Sequence, residues 1–153
     1  MTPLILAISS LFSFTQISCV LPKQTSSPPI LEGIGSTPFP VTTASTETQL
    51  YVNQGMALLH GFWYYEAMRS FRAATRIDST CAVAWWGIYQ TPRGSRSLNR
   101  SAYRRFKSLI PQVSDREQRY LRATVLLDSL GRKAYIEEMQ NLIIVYPEDI
   151  EAK

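Results

Sequence analysis

The chain holds one histidine, His60, so no His-based metal site and no Ser-His-Asp triad can be assembled within a subunit. Its two cysteines, Cys19 and Cys81, are too few and too far apart for a disulfide framework. Cys81, beside Ala82 and Ala84, is expected to be a small buried hydrophobe and not a nucleophile. Phosphate-cradling glycine motifs are missing, since Gly33 and Gly35 lie where no helix begins. Adjacent Glu137 and Glu138 point to different helix faces, and Glu148, Asp149 and Glu151 lie on a terminal tail. Neither group reads as a general acid and base pair; both are expected to be solvated surface. No catalytic residue, metal ligand or cofactor is therefore expected. A long apolar run is lacking too: LILAISSLFSF is short and interrupted by Ser, and no Lys or Arg precedes Pro22.

The apolar run nonetheless precedes a Pro/Ser/Thr-rich stretch, so residues 1–19 read as an export signal, with an uncleaved anchor as the alternative. Ile17, Ser18 and Cys19 resemble the end of a bacterial lipoprotein signal, although Gln16 stands where that motif prefers Leu. The resemblance implies lipidation and membrane anchorage at Cys19; ordinary cleavage nearby would instead leave a soluble exported protein. The expected location is thus periplasmic, membrane-anchored or secreted. Residues 20–46 carry Pro22, Pro28, Pro29, Pro38 and Pro40, many Ser and Thr, and almost no charge. Such a composition buries too little apolar area to offset its ordering entropy, which predicts a disordered linker.

From residue 47 the pattern becomes helical. Tyr51, Gln54, Gly55, Leu58 and Leu59 form one stripe, and Tyr64, Ala67, Met68, Phe71, Ala74 and Thr75 another. Gly55 costs about 1 kcal/mol of helix propensity, so its place in a helix implies a neighbour too close for a Cβ. Ala67 opposite Gly55 would let the pair close, with Phe71 in the wedge. Gly61 is placed for a left-handed cap, and Thr46 with Gln49 for a capping pair. Tyr51, Gly55, Ala67, Phe71 and Ala74 follow at offsets of 4, 12, 4 and 3, and Trp85 stands 34 residues after Tyr51.

This spacing resembles the tetratricopeptide repeat, a 34-residue helix-turn-helix unit. The resemblance implies an all-α fold of antiparallel pairs stacked as a short right-handed α-solenoid, with a strong repeat over 47–79 and degenerate ones over 80–147. A third helix from Thr80 to about Tyr89 meets Pro92 and Gly94; whether it pairs with its successor is left open. Leu98, Ala102, Phe106, Leu109 and Ile110 form the next stripe, and Phe106 stands 35 residues after Phe71. Ser114 with Glu117 forms a capping box for a helix to about Leu130, and Ala134, Tyr135, Met139, Leu142 and Ile143 mark the last one. Pro147 lies 68 residues after Ser79, twice the repeat length. Three pairs are about the minimum for a stable stack. The apolar face of Leu142, Ile143 and Val145 then needs a cover, either another subunit or further chain beyond Lys153; truncation at the C-terminus is the favoured expectation.

In such a stack the first helices line a concave surface. The side chains not used for packing are Gln49, Val52, Met56, Leu59, His60, Trp86 and Gln90, a set suited to a peptide or protein partner. Charge marks a second surface. Residues 92–133 carry eleven Lys or Arg against three acids, a net +8, while five against nine elsewhere give −4, together the chain's +4. Arg100, Arg104, Arg105, Arg116, Arg119 and Arg122 are its centre, suited to an anionic membrane, glycan or acidic protein, with nucleic acid least favoured for an exported chain. The expected function is a non-catalytic protein-interaction scaffold binding on the concave face. The alternative is an electrostatic adaptor docking through the basic face. A third reading, the N-terminal part of a larger enzyme or transport assembly, ranks below both.

Overall fold

The computed structural model of the chain describes residues 27–35, 37–92 and 94–153. The export signal of residues 1–19, Cys19 and the first part of the expected linker lie outside the described residues. Among the described residues the fold is all-α, with six α-helices and no strand: α1 Thr46–His60, α2 Tyr64–Ile77, α3 Ala82–Gln90, α4 Arg96–Leu109, α5 Asp115–Leu130 and α6 Arg132–Val145. A 3-10 turn, Ile110–Gln112, joins α4 to α5 where Pro111 cannot continue the α-helical ladder. Short connections make α1/α2, α3/α4 and α5/α6 packed hairpins, and α3 also lies against α2. The arrangement is compatible with an α-solenoid, and α3 does pair with α4 across the short connection.

Phe71 sits at the centre of the first three helices and is fully buried. A Cβ on Gly55 of α1 would stand 2.6 Å from the Phe71 ring, and one on Gly87 of α3 would stand 2.5 Å from it. Two glycines on two helices therefore make one slot for one aromatic ring. The close neighbour at Gly55 is this ring and not Ala67, which is buried in its own right. The cluster continues through Val52, Met56, Val83 and Ile88, and a second one gathers Phe106, Leu109, Ile110 and Leu121 between α3, α4 and α5.

Several helix ends differ from expectation. Ser45 caps α1, its hydroxyl accepting from the Thr48 amide, because Gln49 is engaged elsewhere. α3 starts at Ala82 because Cys81 holds an extended conformation, its amide donating to the Asp78 carbonyl. Gly61 has φ −75°, so it is no left-handed cap; Phe62 takes that conformation instead, at φ 60°. Its ring is three-quarters exposed, 75%. The Ser114–Glu117 capping box forms as expected. Along α6 only Leu142 is fully buried, so it belongs to the core and not to an uncovered face; Ile144 is 76% exposed beside partly exposed Val145.

The largest departure concerns the expected linker. The described residues between 27 and 44 form neither helix nor strand, yet they pack on the helices as an extended arm. Phe39, in the middle of its prolines, is 1% exposed and belongs to the main core.

Candidate functional site

The arm lies between α1 and α5, and its placement can be built from single side chains. Gln49, Asn53 and Gln54 share neighbouring turns of α1, and an amide there carries both a donor and an acceptor. Gln49 accepts from the Val41 amide at 3.0 Å and donates to the Phe39 carbonyl at 2.7 Å. Asn53 Oδ1 accepts from the Phe39 amide at 3.0 Å. Gln54 accepts from the Leu31 amide at 2.7 Å and donates to the Pro29 carbonyl at 3.1 Å. The Tyr51 hydroxyl donates to the Pro28 carbonyl at 2.9 Å. Four residues of one helix thus address the main chain of an extended segment.

Opposite them, α5 supplies the seat for Phe39. The Tyr120 ring meets it edge-on at 5.2 Å, and the Arg116 guanidinium lies 4.3 Å from its centroid. Arg116 is itself fixed by Asp149 at 2.5 Å, and Tyr120 donates to the other oxygen of that carboxylate at 2.6 Å. Burial pushes the Asp149 carboxyl up, but the hydrogen bonds from Arg116 and Tyr120 outweigh it and hold the group below its ordinary value. Burial, followed by the bond to Asp149, pushes the Tyr120 hydroxyl far up, which keeps it a donor. Asp149 was expected on a solvated tail; it is buried because α5 offers it two donors.

Glu117 closes the site at the N-terminus of α5. It is 1% exposed and accepts from the Thr42 amide on both oxygens at 3.0 Å, from the Thr42 hydroxyl, and from the Ser114 amide and hydroxyl at 3.2 and 2.7 Å. One capping carboxylate therefore caps its own helix and clasps the arm. Thr43 adds a hydrogen bond to Asp78 at 2.6 Å. Beyond the arm, a cleft of about 670 Å³ opens between Thr37, Pro38 and Pro40 on one side and Tyr146, Glu148 and Ile150 on the other.

The concave set is dispersed by this arrangement. Val52 and Met56 are core residues, and Gln49 is spent on the arm. Leu59 and Trp86 are half-buried, the Trp86 indole donating to Thr124 at 2.7 Å. His60 is exposed and meets Glu151 at 2.7 Å, and Gln90 is exposed at the end of α3. The groove in this structure is filled by the chain itself. Asn53, Gln54, Tyr120 and Glu117 hold the arm, and sequence reasoning did not single them out as a site. The available signal was a run of amides inside an otherwise apolar stripe, because buried amides require partners.

The basic patch divides. Arg116 is bound to Asp149 and Arg119 to Asp115, at 2.9 Å, while Arg122 is exposed and donates to Gln118. Arg100, Arg104 and Arg105 lie exposed on α4 with Arg96 and Lys107, and among the described residues none of these five forms an ion pair. Arg105 donates to the Ser79 carbonyl. Among the described residues, α4 carries the densest group of cations without ion pairs; Arg122 of α5 is exposed without one as well.

Burial raises the Cys81 thiol to about 12, which makes it inert as a nucleophile. Among the described residues no cluster of His, Cys, Asp and Glu could hold a metal ion, and no helix is long and apolar enough to cross a membrane. Comparison with protein-family models, with curated proteins and with solved structures finds no match to this chain.

Proposed function

We propose that this chain is a non-catalytic scaffold of tetratricopeptide-repeat type, whose concave face holds polypeptide in extended form. The observation that carries the proposal is the row of amides Gln49, Asn53 and Gln54, which bond main-chain groups of the arm. Main-chain contacts of this kind hold an extended segment largely irrespective of sequence, and side-chain pockets add selectivity. The test is amide hydrogen exchange on the full chain. Leu31, Phe39 and Val41 should be protected, and Asn53→Ala should release Phe39 while the amides of α2 stay protected. Exchange of residues 28–42 at free-peptide rates would remove the reading.

A second reading is favoured by α4. Its five cations share a helix without a single acid, and Arg96 stands at the N-terminus, where the helix dipole disfavours positive charge by about 0.3–1 kcal/mol. An anionic partner docking on Arg96, Arg100, Arg104 and Lys107 would relieve that repulsion. Retention on an anionic matrix at low salt, lost at physiological ionic strength and reduced by Arg100→Gln with Arg104→Gln, supports it; indifference to salt removes it. Export, with lipidation at Cys19, completes the proposal. Incorporation of labelled fatty acid into the intact chain, abolished by Cys19→Ala, is its measurement.

A further inference from the structure

We infer that residues 37–41 of the arm are an in-cis occupant of a docking groove, and that the groove's partner is an extended peptide presenting an aromatic side chain between two prolines. The inference rests on the scaffold reading above and adds to it the partner's chemistry and the way access is controlled.

Three features carry it. The first is how the arm is held. Among the described residues, no hydrogen bond between two main chains ties residues 27–44 to the helices; every such bond uses a side chain on at least one side. The segment can leave without breaking a helical ladder, so its opening is a local event and not global unfolding.

The second is what the groove reads. Pro38 and Pro40 are exposed while Phe39 between them is buried, an alternation of period two that sends one side chain inward. Phe39 alone enters the seat between Tyr120 and Arg116. The prolines bring no amide that would need a partner, and they stiffen the segment, which lowers the ordering cost on docking. A second peptide with the same triplet would meet the same donors, acceptors and ring faces.

The third is access. The cleft flanking Pro38 and Pro40 is open along the arm, so an incoming chain can lie beside the occupant before displacing it. Phe39 is only seven residues from the start of α1, and so short a tether gives the arm an effective concentration on the order of millimolar. The intact chain should therefore mask its groove from micromolar peptides, and release of the arm should uncover it.

The probe is a fluorescent synthetic peptide of residues 36–43, with the same peptide carrying Phe39→Ala as control, titrated by anisotropy into the full-length chain and into full-length Phe39→Ala. The variant should bind the native peptide with an apparent Kd at least about tenfold lower than the intact chain does, and neither protein should bind the control peptide. Should Phe39→Ala fail to fold by circular dichroism, Phe39→Leu keeps apolar volume in the seat and serves in its place. In the intact chain, millimolar native peptide should also speed exchange at the Phe39 and Val41 amides. This last measurement needs no variant. Protected amides that do not respond to peptide would overturn the inference and leave the scaffold reading standing; amides without protection in the free chain would remove both. A concentration-dependent dimer of the intact chain would make a second copy's arm the occupant and would overturn the assignment to a separate partner.

Discussion

The first and last hairpins are both packed pairs of helices, but they are buried to different extents. In α1/α2, the second helix is covered on both sides: Phe71 has Gly55 of α1 on one side and Gly87 of α3 on the other. In α5/α6, the second helix is covered by α5, and of its side chains only Leu142 is fully buried. Met139, which stands 68 residues after Phe71, is merely half-buried, and Ile136, Ile144 and Val145 are substantially exposed. The difference teaches that the second helix of a hairpin owes its burial to the helix packed on its far side as much as to its own partner.

The sharpest way to break the comparison is truncation of Phe71 in α2 and of Met139 in α6. Phe71→Ala should cost on the order of 3–5 kcal/mol in a urea titration. Met139→Ala should cost well under half of that, because its site is already partly open to water. Equal losses would mean that α6 is packed as tightly as α2.

Next comes the slot itself. Gly87→Ala places a Cβ 2.5 Å from the Phe71 ring, where the ring has Gly55 behind it and nowhere to retreat. We expect a loss of about 1–3 kcal/mol by overpacking, recovered in large part by pairing Gly87→Ala with Phe71→Leu. An additive double mutant would show that the two sites do not share the slot.

The tail after α6 carries an acid-sensitive element in Asp149, and the end of α2 another in Asp78, whose carboxyl burial pushes up but hydrogen bonds from Thr43 and Thr80 hold below its ordinary value. The folded Asp149 carboxyl titrates below its ordinary value of 3.8, so its contribution is present above that value and is lost as pH falls through the lower folded value. Urea midpoints should therefore drop in acid for the native chain, and Asp149→Asn should be less stable at neutral pH and show a shallower decline below about pH 4. Identical pH profiles would remove Arg116 and Tyr120 as the groups that hold the tail. The smallest effect belongs to the uncovered face: Ile144→Gln should stay within about 0.5 kcal/mol, as exposed substitutions do.

How much of this was legible depends on the kind of signal. The helices could be read from their stripes, and so could the capping box at Ser114 and the wedge role of Phe71 near Gly55, because each is set by neighbours within a few residues. Gly87 went unread as the other wall of the slot, since its contact with Phe71 exists only once α3 has docked on α2. The arm was misjudged for a similar reason. A Pro- and Ser-rich stretch has no periodicity to advertise a buried face, and Phe39 is buried only because α1 and α5, far apart in sequence, meet around it. Asp149 and Arg116 follow the same rule: each is paired and not solvated because segments 33 residues apart in sequence meet.

The amino-acid sequence by itself determined the helices and which of their stripes would be apolar, since local hydrogen bonding and residue spacing decide both. Only the tertiary structure decided that the proline-rich arm packs between α1 and α5 and that Arg116 of the basic patch is paired with Asp149. Those outcomes depend on distances between segments remote in sequence, and no spacing along the chain encodes a distance through space.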